Sequence, residues 1–295
     1  MWILFAISSN FSWAVENVAT KIMVGNRVKN PYVFSVLLFV LSVLPLLFIP
    51  AKYIYFPAIS DWKIIILSSA LYVFAGLPYL KAMGIEEVTR INIWWNLIPV
   101  FNFVLGIIFL NDLIGPMDFM AIFFLMSGAM LTSLKFEKIN FKFSKAFLLM
   151  VFSCFLYSVY AIMIRFLSKD LPAPTIFFWV TVCNAFLALI FLLHRSIRLE
   201  FLTTIKNSNF YLFLSFLLLV VMMDLGNLFN TLALSLRPGV LVYAFEGLQV
   251  LFVFLLSMPI IKFFPSLLQE SLDRRNLLVK LFSFIFIMIG LLLLI

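Results

Sequence analysis

Residues 212–236 read LFLSFLLLVVMMDLGNLFNTLALSL. From Leu212 to Met223 the run is broken only by the Ser215 hydroxyl, and Leu248 to Leu256 is a second run, broken only by Gln249. A transmembrane β-strand alternates apolar with polar residues over about ten positions, which these runs do not do. They read as α-helices long enough to cross a bilayer, which takes about 20 apolar residues per crossing. Asp224, Asn227 and Thr231 interrupt the first run at intervals of three and four, so that helix carries one polar stripe.

The rest of the chain follows the same pattern. Its 295 residues are 65% hydrophobic and only 12% charged, with a mean hydropathy of +1.16. Soluble domains carry roughly 25% charged residues, so too little polar surface exists to coat a water-facing globule. The expected fold is all-α and integral to a membrane, with ten transmembrane helices at 2–23, 32–50, 63–84, 90–110, 116–134, 146–167, 174–194, 210–236, 239–261 and 277–295. Pro31, Pro116, Pro174 and the Pro238-Gly239 pair stand where new helices should begin, because proline in a first turn loses no hydrogen bond. Pro45, Pro78, Pro99 and Pro259 lie inside spans and are expected bends, for which a tolerated kink is the simpler reading.

No loop in this division exceeds about 15 residues, which leaves no room between spans for an ATPase module. No G-x-x-x-x-G-K-[ST] loop occurs. The first span lacks a basic flank and a small-residue cleavage pattern and contains Glu16, so it is expected to be retained rather than cleaved. Cys154 and Cys183 fall inside spans, where they act as small apolar residues.

Net charge of +8 would suggest nucleic acid in a soluble protein, but here the distribution of the charge reports topology. Odd-numbered loops hold Arg27, Lys29, Lys135, Lys138, Lys142, Lys145, Arg195, Arg198, Lys206, Lys262, Arg274, Arg275 and Lys280, against Lys52, Lys63, Lys169 and Arg237 in the even ones. The positive-inside rule then expects odd loops in the cytoplasm and both chain ends outside.

The two halves also resemble each other. WAVENVATK at 13–21 parallels YSVYAIMIR at 157–165, Pro31 parallels Pro174, and Ala82 through Phe103 parallels Ala233 through Phe254. Five crossings per copy force the second copy into the bilayer upside down, the inverted-repeat architecture of alternating-access transporters. Expected repeats are residues 1–140 and 141–295.

With Trp13 and Lys21 bracketing the first span, an Ala-x-x-x-polar turn between the third and fourth, Asn96-Leu-Ile-Pro99-Val in the fourth, and Gly128 and Gly290 closing the fifth and tenth, the chain resembles the ten-helix EamA-like members of the drug/metabolite transporter superfamily. It departs from their usual pattern, in which glutamate follows the fourth and ninth helices; here the stretches read Leu110-Asn-Asp112 and Met258-Pro-Ile-Ile-Lys262. The resemblance implies both termini in the cytoplasm, opposite to the charge count.

Polar residues are unevenly shared among the spans. The second, fifth, seventh and tenth carry little beyond Ser35, Ser42, Ser127, Thr132, Ser283, Thr181 and Asn184, and are expected to be lipid-facing scaffold. In the others, Asn10, Trp13 and Asn17, then Asn92, Trp95 and Asn96, then Tyr157 and Tyr160, then Asn227, then Tyr243 and Gln249 make stripes expected to bind substrate in a common polar cavity. Three carboxylates, Glu16, Asp224 and Glu246, lie deep in spans. Each ionised acid costs about 2.5 to 3.5 kcal/mol at a helix centre, against about 0.3 to 0.6 recovered per leucine. Proton uptake or a bound cation would offset that cost, so these three are the expected coupling residues. Pairing with Lys21, Lys81, Arg90 or Arg165 is the competing explanation.

Aromatic rings beside a carboxylate suit an organic cation or zwitterion. The expected function is secondary active transport of a small organic metabolite, such as an amino acid or amine, by alternating access with proton coupling as one option. A lipid or head-group translocase is the alternative. An intramembrane enzyme is disfavoured, since His194 is the sole histidine and no G-x-S-x-G or paired-aspartate motif occurs. Expected partners are a small-molecule substrate and the lipid bilayer, with no nucleic acid, metal or cofactor. A monomer or homodimer in a bacterial inner membrane is the expected setting.

Overall fold

The computed structural model describes residues 1–110, 115–133, 144–237, 239–243, 245–268 and 274–294. Every regular element among them is helical: α1 (Trp2–Asn26), α2 (Pro31–Leu41), α3 (Ile59–Ile85), α4 (Val88–Trp94), α5 (Leu97–Leu110), α6 (Pro116–Ser133), α7 (Lys145–Leu167), α8 (Ala173–Leu189), α9 (Arg195–Lys206), α10 (Phe210–Leu236), α11 (Gly239–Tyr243), α12 (Glu246–Phe263) and α13 (Arg274–Leu294). Short 3-10 turns follow α2 at Pro45–Phe48 and Ala51–Tyr53, and α8 at Ile190–Leu193.

Among the described residues, eight segments are long and apolar enough to cross a membrane: Pro31–Phe48, Ile59–Ile85, Val88–Phe109, Lys145–Leu167, Ala173–Leu193, Phe210–Leu236, Leu241–Phe263 and Asn276–Leu293. α1 and α6 are not among them. α6 offers only the shorter apolar stretch Phe119–Gly128. α1 is diluted by Ser9, Asn10, Ser12, Glu16, Asn17 and Thr20, all of them buried. It packs against α3, α10 and α12, so its polar side chains face protein rather than lipid. Outward positions are greasy instead, as at Leu148, Phe152, Phe186, Leu255 and Phe282.

Local chemistry sets the helix starts. Asn30, Ser144 and Asn209 each accept a backbone N–H of the following first turn, from Tyr32 (3.0 Å), Phe147 (3.1 Å) and Leu212 (2.9 Å). Such caps contribute about 1 kcal/mol apiece. α2 and α6 open on Pro31 and Pro116, and Pro174 is the second residue of α8; Pro238 lies outside the described residues, as do Asn111, Asp112 and the junction between the expected repeats.

The interior prolines behave differently from one another. Pro78 and Pro259 stay within continuous helices, whereas Pro45 opens a 3-10 turn and α2 has already ended at Leu41. Pro99 has no N–H for the Trp95 carbonyl, which instead accepts from Ile98 N at 2.8 Å, and the helix is interrupted between Trp94 and Leu97.

Residues 195–209, expected as a loop, contain α9. Its Ile197 and Phe201 pack on the core while Leu199, Leu202 and Ile205 remain exposed, and Asn30 Nδ2 donates to its Glu200 carboxylate at 2.5 Å. A short amphipathic helix between two spans suits the membrane interface. Its twelve residues fall short of a crossing, so a search for spans passes over it.

α6 and α13 pack along their length through glycines. A Cβ on Gly128 would stand 2.9 Å from the Ser283 carbonyl oxygen, and one on Gly290 would stand 2.9 Å from that of Ala121. Backbone cannot yield as a side-chain tip can, so these two glycines set the approach of the helices. We expect Gly128→Val or Gly290→Val to cost about 1 to 3 kcal/mol by overpacking. Thermal unfolding of the purified protein in detergent checks this: an unchanged melting temperature would mean that the helix pair does not depend on close contact there.

Candidate functional site

A partly open cavity of about 90 Å³ lies among α1, α2, α3, α7, α10, the α4–α5 segment and the α11–α12 segment. α1 contributes Trp13, Glu16 and Asn17; α3 contributes Tyr72, Gly76, Tyr79 and Leu80; α7 contributes Tyr157 and Tyr160. Met223, Asn227 and Asn230 enter from α10, Trp95 from the turn between α4 and α5, Ile98 from α5, Tyr243 from α11, and Glu246 and Gln249 from α12. α2 adds Ser35, Leu38 and Phe39, which corrects the expectation that the second span is only lipid-facing scaffold. All the lining residues are buried or half-buried. The volume is about that of a few water molecules.

Amides tie the polar side together. Asn92 Oδ1 accepts from both Asn17 Nδ2 and Gln249 Nε2, each at 2.9 Å, so one oxygen joins α1, α4 and α12. The hydroxyl of Tyr79 donates to Asn17 Oδ1, and Thr20 Oγ1 donates to Glu16 at 2.6 Å. On the other side, Asn227 Oδ1 accepts from Trp13 Nε1 at 3.3 Å and from the Tyr72 hydroxyl at 3.0 Å, while Asn230 Nδ2 donates to the Tyr243 hydroxyl at 3.1 Å.

Aromatic rings line the same cavity. Tyr79 meets Trp95 with centroids 5.2 Å apart, Trp95 meets Tyr157 at 5.3 Å, and Tyr72 meets Tyr157 at 5.2 Å, Tyr160 at 4.9 Å and Phe39 at 5.9 Å. Edge and tilted contacts of this kind add about 0.5 to 1.5 kcal/mol each and hold ring faces in fixed directions.

Charge on the cavity wall has one sign. Glu16 and Glu246 line it, and no Lys, Arg or His does so among the described residues. Glu246 opens α12, is 3% exposed, and its Oε2 has no hydrogen-bond partner. Of the basic groups that could have neutralised it, Lys21 and Arg90 are engaged elsewhere, and Lys81 does not line the cavity. Lys21 Nζ donates to the carbonyls of Met83 (2.8 Å) and Glu86 (2.6 Å) at the end of α3, Arg90 lies 3.7 Å from Glu86, and Lys280 pairs with Glu87 at 2.6 Å.

Residues 1–134 match the EamA-like transporter family. That family belongs to the drug/metabolite transporter superfamily, so the likeness read from the sequence holds over those residues. No curated protein matches the chain. Among solved structures, one crystal structure aligns with a TM-score of 0.58 over 98% of this chain and 94% of that one, at 14% identity, and so shares the fold alone.

In this fold, the expected residues Trp13, Glu16, Asn17, Trp95, Tyr157, Tyr160, Asn227, Tyr243, Glu246 and Gln249 surround the cavity. Asn10, Asn92, Asn96 and Asp224 do not line it. Asn10 turns back on its own helix to donate to the Ala6 carbonyl at 2.7 Å, and Asn96 donates to the carbonyls of Ile93 and Asn92 within the helix interruption. Asn92 stands behind the wall and holds Asn17 and Gln249 in place. Asp224 is buried with neither carboxylate oxygen hydrogen-bonded. Tyr72, Tyr79 and Asn230 line the cavity without having been expected.

Asn92→Leu should leave two buried amide groups without their acceptor. We expect a loss of about 1 to 3 kcal/mol, read as a lower melting temperature, together with loss of any ligand-induced stabilisation. Wild-type stability in that variant would remove Asn92 from its role as the common acceptor.

Proposed function

We propose that the chain carries a small organic cation or zwitterion across the membrane by alternating access, as a secondary active transporter made of ten spans in two inverted repeats, 1–140 and 141–295. The observation that supports it most is the cavity wall itself: two carboxylates, Glu16 and Glu246, with amides and aromatic ring faces and no basic side chain among the described residues. Carboxylates attract an ammonium group, ring faces add cation–π attraction, and the amides can hold a carboxylate end. In this reading Glu16 and Glu246 also take up a proton or cation between cycles, and Asp224 is a second place for one.

The repeat reading draws on the interrupted helices. α4 ends at Trp94 before α5 begins at Leu97, α11 ends at Tyr243 before α12 begins at Glu246 about 150 residues later, and both pairs flank the cavity. Paired broken helices at a shared site are the usual mark of such carriers. Lipid translocation is less well supported, because no cavity residue is exposed to form a lateral mouth among the described residues.

Amino acids, polyamines and quaternary amines, screened by thermal shift on the purified protein, test the substrate class. A solute at 100 times its dissociation constant stabilises the folded state by about 2.7 kcal/mol. We expect a hit among the cations or zwitterions that Glu16→Gln or Glu246→Gln weakens. Stabilisation by organic anions alone would overturn the reading.

A further inference from the structure

We propose that the groove between α3 and α7 holds one acyl chain of an acidic phospholipid, whose phosphate pairs with Lys81. The groove encloses about 590 Å³, and its walls are apolar apart from that one lysine at its end. Leu67 and Phe74 on α3 and Phe152 on α7 are exposed along it, while Ala70 and Pro78 supply no long side chain and leave it hollow.

Its length fits a lipid tail. From Leu67 to Lys81 is about 21 Å along a helix at 1.5 Å per residue. One leaflet contributes about 15 Å of hydrocarbon. Lys81 sits four residues before the end of α3, and a lysine stem reaches further toward water. Its ammonium lies 5.6 Å from the centroid of the Tyr32 ring, and no ion pair engages it among the described residues. An exposed, unpaired cation above an apolar trough complements an anionic head group on a hydrocarbon tail, and a zwitterionic head group much less well.

This site is independent of the transport cavity. None of its lining residues is shared with that cavity, and the Ser153 hydroxyl donating to the Ala75 carbonyl at 2.8 Å joins α3 and α7 between the two.

The test uses the full chain, purified and delipidated in detergent, with phosphatidylglycerol or phosphatidylcholine added and bound lipid counted by native mass spectrometry. Wild type should retain phosphatidylglycerol in preference to phosphatidylcholine. Lys81→Ala should lose about fivefold in affinity for phosphatidylglycerol, the effect of one basic residue at a lipid surface, and Lys81→Arg should keep it. Ala70→Phe, which fills the trough, should reduce retention of both lipids; should that variant not fold, the two Lys81 variants decide. Equal retention of the two lipids by wild type, or an unchanged preference in Lys81→Ala, would overturn the proposal and leave only a nonspecific lipid belt.

Discussion

Replacing Glu246 by Gln should abolish solute flux in proteoliposomes while leaving the amount of folded protein unchanged. The amide keeps the shape of the carboxyl group and removes its charge. At the start of α12 the carboxylate faces a cavity without basic neighbours among the described residues, and one of its oxygens is unpartnered, so little structure is lost with it. A charge-assisted hydrogen bond to a bound ammonium contributes about 1.5 to 3 kcal/mol. Its loss corresponds to roughly tenfold to more than a hundredfold weaker binding, and loss of the ionisable group also removes a proton carrier. Glu16→Gln should act in the same direction but less strongly, since Glu16 already accepts the Thr20 hydroxyl. Wild-type flux in Glu246→Gln would take this residue out of the mechanism.

Gly226→Val should damage the same site by packing alone. A Cβ at Gly226 would stand 2.5 Å from both Cδ1 and Nε1 of Trp13 and 3.1 Å from its Cγ, so the indole has to move. Trp13 is cavity wall and donates to Asn227, so its displacement breaks that hydrogen bond and pushes the ring into a space of about 90 Å³. We expect a loss of about 1 to 3 kcal/mol in stability and no remaining ligand-induced shift. Combining Gly226→Ala with Trp13→Ala should recover part of the stability lost by Gly226→Ala, because the two residues share one contact. Additive losses in that double variant would show that the glycine does not serve the indole.

The fold was legible in the sequence where physics left one solution. Runs such as Leu212 to Met223 can satisfy their backbone in lipid only as helices, and Pro31 and Pro116 stand at helix starts where no donor is lost. The cavity was legible on α1 and α12, whose buried polar groups recur every three or four residues. On α10 the spacing misled in detail. Met223, Asn227 and Asn230 recur at four and three and share the cavity face, which leaves Asp224, one position along from Met223, to one side.

Other parts of the site left no pattern to find. α2 lines the cavity with Leu38 and Phe39, which look like any other apolar residues in a span. Tyr72 and Tyr79 are seven residues apart on one face of α3, with Gly76 between them, but 18% of the chain is aromatic and a pair of rings does not stand out. Asn92 had the expected stripe position and a different task, because a hydrogen bond to two other helices depends on packing that spacing alone does not encode.

Accessibility at Gly76 tests the central claim most directly. This glycine faces the cavity, and a Cβ there meets only the Tyr157 hydroxyl at 3.7 Å, ordinary contact, so a cysteine fits. In a background with Cys154 and Cys183 replaced by Ala, a membrane-impermeant thiol reagent would be applied to each face of sealed vesicles carrying Gly76→Cys. Carriage by alternating access predicts labelling from both faces, slowed by any cation or zwitterion that stabilises the protein. Labelling from one face only, or none from either, would contradict it.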